Sequence, residues 1–209
     1  MIYTVLKFKM YIGEVLPQVD IEKRPNIWSL YFYTVGEIMK LYYVDEDYIN
    51  ELRNVDERVL LNKSTRPYLG VVLSINDLNY FVPLSSPKEN KKLNNQLSIK
   101  LFEVNNIQNR LGYLLFLNMI PVPDKYLSKI DMQYIKEQDL EYYNLLTNQL
   151  IFIRQENQRI VNKAQKVYKN AVIKKVSFFE SMCVDYLALE RYVKDLKRFC
   201  CKVKNIANH

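Results

Sequence analysis

The sequence predicts an α+β fold: a strongly twisted antiparallel sheet, partly closed into a small β-barrel, with helices packed on it. Three observations carry this expectation. The stretch Arg66 to Lys88 holds two runs rich in Val, Ile, Leu and Tyr, separated by the turn formers Asn76-Asp77, which is the pattern of a β-hairpin. Two further runs, Ser98 to Val104 and Tyr113 to Ile120, have strand character. Beyond Pro121 and Pro123 the apolar residues recur at spacings of three and four, the helical period. The sheet is therefore expected over residues 40–122 and the helical region over 131–199.

Composition bounds the rest. The chain has 209 residues, 49% of them hydrophobic, so it can bury a core as one domain or one domain with an appendage. A net charge of +7 favours an anionic partner, although mildly basic soluble proteins are common. The cysteines Cys183, Cys200 and Cys201 are odd in number and two are adjacent, and the sole histidine is His209. That set supplies neither a disulfide framework nor a Cys/His metal site, so a reducing, cytoplasmic setting with no metal and no cofactor is expected. It also excludes chemistry built on a histidine pair, leaving Lys, Arg, Ser, Thr, Tyr or a carboxylate.

Residues 1–38 stand apart. Lys7, Lys9, Lys23 and Arg24 cancel Glu14, Asp20, Glu22 and Glu37, so the whole basic excess falls on residues 39–209. The apolar runs Ile2–Leu6 and Trp28–Val35 are too short to span a bilayer, and the segment lacks the parts of a signal peptide, so no membrane is expected. Gly36-Glu37-Ile38 can be encoded with a GGAG ribosome-binding sequence just before Met39. Residues 1–38 thus read as an extension of doubtful origin, with translation starting at Met39; the opposing reading pairs its two runs with the sheet.

From Met39 the elements follow in order. Lys40 to Val44 reads as a strand, and Asp45 as the N-cap of a short helix with Ile49 and Leu52 toward the core. Tyr48, near the start of that helix, reads on physics alone as a half-buried tyrosine with its hydroxyl in water. In the hairpin, Pro83 lacks an N–H and marks an edge or a break in the ladder, while Pro87 holds Ser86 extended on a stiff, exposed corner. The hairpin brings Arg66 toward Ser85, Ser86 and Lys88. Tetrapeptides such as Ser-Ser-Pro-Lys are mostly solvated turns, but a rigid hydroxyl with arginine and lysine beside it suits a phosphodiester.

Glu89 to Lys100 then reads as a mobile basic loop, in which Lys91, Lys92 and Lys100 contact either RNA phosphates or only water. Tyr113 to Ile120 is apolar on both faces and hence central, with Asn118 a structural hydrogen-bonding residue. From Asp139 a helical stretch carries Tyr143, Leu146, Leu150, Ile153, Asn157, Ile160, Ala164 and Val167 on one seam, which covers the sheet. A last helix, Ser177 to Phe199, carries Phe178, Met182, Leu189, Tyr192, Val193 and Leu196 inward. Its end is basic through Lys194, Lys197, Arg198, Lys202 and Lys204, which complements the helix dipole or meets RNA.

Taken in order, Leu41-Tyr42-Tyr43-Val44-Asp45, Tyr48-Ile49, Arg66-Pro67-Tyr68-Leu69-Gly70-Val71-Val72-Leu73, Tyr80-Phe81-Val82-Pro83-Leu84-Ser85-Ser86-Pro87-Lys88 and Leu117-Asn118-Met119-Ile120-Pro121-Val122 resemble the ToxN/AbiQ family. Its members are endoribonuclease toxins of type III toxin–antitoxin systems, neutralised by a repeated RNA antitoxin that they process. The resemblance implies that Ser86 is the key active-site serine, Lys88 its nearby lysine, Ser85 the Ser/Thr position and Tyr48 an active-site tyrosine. Arg66 stands where at least some relatives carry lysine, which keeps phosphate binding but makes proton transfer from this position unfavourable, because guanidinium does not deprotonate. With no histidine pair and no evident carboxylate cluster, the simplest RNA chemistry is attack by the substrate's own 2′-hydroxyl, leaving a 2′,3′-cyclic phosphate and a 5′-hydroxyl; the resemblance implies the same products. It also implies partners: cellular RNA as substrate and an RNA antitoxin closing a ring-like complex. Two other readings stand beside it, a non-catalytic RNA-binding barrel module and a toxin-like protein acting on a protein target.

Overall fold

Asn76 and Asp77 adopt left-handed backbone angles, φ 50° and 60°, so they form the two-residue turn whose twist matches flanking strands. They join β2 (Tyr68–Ile75) to β3 (Leu78–Ser85), with Ile75 opposite Leu78 and Tyr68 opposite Pro83. The expected hairpin is present. The computed structural model describes residues 39–62, 66–87 and 93–207, with side chains to Arg198; residues 1–38, Lys88, Lys91 and Lys92 lie outside them, as do the side chains of Cys200, Cys201, Lys202 and Lys204.

Around this hairpin β1 (Lys40–Val44), β4 (Ser98–Glu103), β5 (Asn106–Leu115), β6 (Ile120–Pro121) and β7 (Leu127–Lys129) assemble in the order β4-β5-β3-β2-β1-β7, all antiparallel, with β6 paired to β3. β1 (Lys40–Val44) lies between β2 and β7 (Leu127–Lys129), and β4 (Ser98–Glu103) is the other edge. The two ends of this order, β4 and β7, do not pair with each other among the described residues. Pro83 sits in a gap: β5 pairs with β3 at Leu84–Ser85 and β6 (Ile120–Pro121) pairs with it at Tyr80–Phe81, so the missing N–H falls where the ladder breaks. Gly70 is required by packing, because a Cβ there would lie 2.0 Å from Cδ1 of Phe81, whose ring stands edge-on to Tyr42.

The fifth strand differs from the sequence reading. β5 runs Asn106–Leu115, starting well before Tyr113, because Val104 and Asn105 form a turn that makes β4 and β5 a second hairpin. A 3₁₀ turn, Phe116–Asn118, ends it. Asn118 lies in that turn, buried, and its side-chain amide donates to the Arg58 carbonyl, so its structural role holds while its place in a strand does not.

The helices follow their periodicity. α1 (Glu46–Val55) is capped by Asp45, whose carboxylate accepts from the Tyr48 N–H at 2.9 Å. After α2 (Met132–Gln138), α3 (Leu140–Gln155) and α4 (Asn157–Tyr168) present the expected seam, with Leu146, Ile153, Ile160, Ala164 and Val167 all buried. Each such side chain contributes about 1.5–3 kcal/mol when fully removed from water, the small Ala164 less. The last helical region is broken into α5 (Ser177–Met182) and α6 (Tyr186–Ala207). In it Leu189 and Val193 are buried, Phe179 rather than Phe178 is the buried aromatic, and Met182 is exposed. α6 docks through Glu190, a buried carboxylate that accepts from the hydroxyls of Tyr80 and Tyr168, each at 2.7 Å.

The break before α6 is held by Asp56. Its carboxylate accepts from the N–H of Asp185 at 2.6 Å, from the N–H of Arg58, and from the Arg58 guanidinium at 2.9–3.1 Å. Burial raises the carboxyl pKa, but the Arg58 side-chain bond and the two N–H donors outweigh it and hold Asp56 below its ordinary range. Asp56→Ala is expected to cost about 2 kcal/mol at neutral pH, since it leaves the Asp185 N–H unpaired. A depressed folded pKa contributes stability above the unfolded value, about 4, and loses it as pH falls through the folded one. Urea unfolding should therefore show the gap between wild type and Asp56→Ala narrowing from pH 7 to pH 3; a constant gap would contradict the assignment.

Candidate active site

The open end of the first hairpin brings Arg66 toward Ser85 and Ser86. The Leu84 N–H donates to the Pro67 carbonyl at 2.9 Å, extending the ladder toward Arg66. Arg66 then folds its side chain back across the strands, with Nη1 on the Leu84 carbonyl at 3.0 Å and Nε on the Leu61 carbonyl at 3.3 Å. The guanidinium thus sits next to the residue preceding Ser85, but two of its donor groups are committed to the main chain. Ser85 is half-buried, and Ser86 and Pro87 are exposed as the corner required. Among the described residues neither serine hydroxyl has a hydrogen-bond partner.

Across the sheet, Ser85 pairs with Tyr113 and Tyr113 with Lys100, so the three form a row on one face of β3, β5 and β4. Lys100 is half-buried on a strand rather than part of the basic loop. The Tyr113 hydroxyl pairs with Nη1 of Arg110 at 2.8 Å, and the guanidinium carbon lies 5.7 Å from the ring centre. On α4, Lys163 donates to the Asn95 carbonyl at 2.8 Å, which places a helical cation beside the entry to β4. Burial, then Lys166 and Arg159, push its pKa down.

Tyr48 is placed elsewhere. It is fully enclosed rather than half-buried, its hydroxyl donates to the Pro121 carbonyl at 2.6 Å, and its ring stacks on Tyr126 at 4.2 Å. Burial, with Tyr126, Tyr192 and Glu51 adding to it, raises its pKa far above the ordinary range, which disfavours a role as base, and the enclosed ring presents no face for RNA to stack on in this structure. Tyr48→Phe is expected to lose about 1 kcal/mol of stability and keep RNA cleavage. A folded Tyr48→Phe protein with no cleavage in a single-turnover assay would restore the tyrosine to the reaction.

Arg110, Gly112 and Gln149 were not singled out from the sequence. Gly112 carried a signal, an isolated glycine in a strand-like run, which marks a bulge or a close approach. Gln149 carried a weaker one: it lies three residues from Leu146 and so shares the inner side of the helix.

Fold and corner together define a small α+β protein whose hairpin ends in paired serines beside a clamped arginine. The chain belongs to the ToxN toxin family of type III toxin–antitoxin systems, whose family model, "Toxin ToxN, type III toxin-antitoxin system", matches residues 40–194. Endoribonuclease ToxN of Bacillus thuringiensis subsp. kurstaki is 38% identical over 166 residues, covering 76% of this chain and 84% of the relative. Endoribonuclease AbiQ of Lactococcus lactis subsp. lactis is 35% identical over 173 residues, 78% of this chain and 92% of the relative. Among solved structures, a type III toxin inhibited by a non-coding RNA pseudoknot superposes with a TM-score of 0.71 at 37% identity, over 76% of this chain and 98% of its own. AbiQ, a lactococcal anti-phage endoribonuclease, gives 0.70 at 32% identity, over 77% and 98%.

Proposed function

We propose that this protein is an endoribonuclease toxin of the cytoplasm that cleaves cellular RNA and is inhibited by a repeated RNA antitoxin, which it processes and with which it closes a ring-like complex. Its toxin domain is residues 39–209, and residues 1–38 are dispensable for it. The observation that carries the reading is the hairpin end, where the Arg66 guanidinium is tied to the Leu84 carbonyl beside the hydroxyls of Ser85 and Ser86, which have no partner among the described residues. Family membership and the activity of the named relatives support it. Among the described residues no helix is long and apolar enough to cross a membrane.

The reaction is metal-independent transesterification. The substrate's 2′-oxygen attacks the adjacent phosphorus, the bond from phosphorus to the 5′-oxygen breaks, and the products are a 2′,3′-cyclic phosphate and a 5′-hydroxyl. One proton leaves the 2′-hydroxyl and one reaches the departing 5′-oxygen. Ser86 donates to a non-bridging phosphate oxygen, Ser85 supports it, and Lys88 and Arg66 offset the extra charge at phosphorus, with Lys91, Lys92 and Lys100 along the RNA backbone. Arg66 cannot be the base, since guanidinium does not deprotonate, and Tyr48 is sealed in the core.

Purified full-length protein, and the form beginning at Met39, are expected to cleave total RNA in the presence of EDTA. The new ends should carry cyclic phosphate. RNA binding without cleavage would instead favour a non-catalytic module, and neither activity a protein target.

A further inference from the structure

The ladder between β4 and β5 is irregular next to the serines. Leu101 faces Gly112 but Phe102 faces Arg110, so Leu111 is the extra residue of a β-bulge. A bulge leaves a main-chain group outside the ladder, and here the Leu111 carbonyl accepts from the side-chain amide of Gln149, on α3, at 2.7 Å. Gln149 is almost fully buried, 4% exposed, and among the described residues its Oε1 has no partner, so the bond to Leu111 is its one polar link there. The next residue, Gly112, has φ 141° and no room for a side chain: a Cβ would lie 2.5 Å from the Ser85 carbonyl and 3.2 Å from the Gln149 amide nitrogen. Helix amide, bulge and serine strand are therefore stacked without a gap. One residue further on, Tyr113 is the register partner of Ser85.

We infer that Gln149 is a positioning residue for cleavage: by holding the Leu111–Gly112 bulge, it fixes the strand against which Ser85 lies and so sets where the Ser86 hydroxyl meets the phosphate. The inference rests on the ribonuclease reading above. A bulge held only by its own strands shifts by a fraction of an ångström at little cost, and transition-state contacts are sensitive on that scale. RNA affinity, spread over many phosphates, is not.

The test compares wild type, Ser86→Ala, Gln149→Leu and Gln149→Glu as full-length proteins, by single-turnover cleavage of an RNA oligonucleotide, gel-shift affinity and thermal unfolding. Gln149→Leu is expected to lower kcat at least tenfold with affinity within about twofold, while folded at the assay temperature. Gln149→Glu supplies the readout that a merely structural role would not move. Buried, its carboxyl titrates high; protonated, it donates to the Leu111 carbonyl, so its activity relative to wild type should rise as pH falls from 8 to 5.5. Unchanged kcat in folded Gln149→Leu, or a loss equal to the unfolded fraction with no pH-dependent recovery in Gln149→Glu, overturns the inference. Wild type that cuts while Ser86→Ala does not keeps the ribonuclease reading apart from that failure; wild type that never cuts overturns both.

Discussion

Ser86→Ala is expected to slow RNA cleavage by about 10²–10³ and to abolish growth inhibition, while antitoxin RNA still shifts on a gel at close to the wild-type protein concentration. The hydroxyl is exposed on a corner stiffened by Pro87, and among the described residues it has no partner to be left unpaired by its removal. Folding should therefore be untouched. The loss falls on the transition state, where a donor aimed at the phosphorane oxygen matters more than in the ground state. Affinity is expected to spread over many phosphate contacts and to depend hardly at all on one serine. An inducible Ser86→Ala gene that stops growth as the wild type does would move the site away from this hairpin end.

Gly70→Ala is expected to be among the most destabilising single substitutions in the described chain, at about 3 kcal/mol or a fall in Tm of roughly 10 °C. The added methyl meets the Phe81 ring at 2.0 and 2.2 Å, and that ring is fully buried on the next strand with Tyr42 against its edge. Neither can retreat without opening the sheet between β1, β2 and β3. Phe81→Leu should cost stability alone yet recover much of it in the Gly70→Ala background, a coupling that a double-mutant cycle in urea measures. Additive losses would show that the clash is relieved by some other movement.

What the sequence disclosed was local chemistry. Asp45 caps a helix and Asn76-Asp77 turn a hairpin because neighbouring atoms alone decide those events, and the seam from Leu146 to Val167 follows from helix geometry. The meeting of Arg66 with the Ser85 strand followed from hairpin topology for the same reason. Long-range partners were hidden. The burial of Tyr48 depends on Pro121 and Tyr126, and Glu190 looks like a helix-surface charge until Tyr80 and Tyr168 are brought to it. The interruption before α6 needs Asp56, 129 residues away, to accept the Asp185 N–H. Likewise the bulge at Leu111 needs an amide from another helix, which no strand pattern announces.

Under the proposed function, the arginines bear on how RNA meets this protein. Arg53 donates to the carbonyls of Glu57 and Val59, Arg58 to those of Glu180 and Ser181 as well as to Asp56, and Arg66 to those of Leu61 and Leu84. A carbonyl takes up a donor without neutralising the cation, so Arg53, bonded through Nη1 alone, and Arg66, bonded through Nη1 and Nε, each stay positive with Nη2 uncommitted among the described residues. For a protein that meets RNA as proposed, these pinned cations add to the long-range field that draws a polyanion in, while their remaining Nη2 donors stay available to a phosphate. Salt should then slow association by screening charges whose positions the fold already fixes, which stopped-flow mixing at two ionic strengths measures.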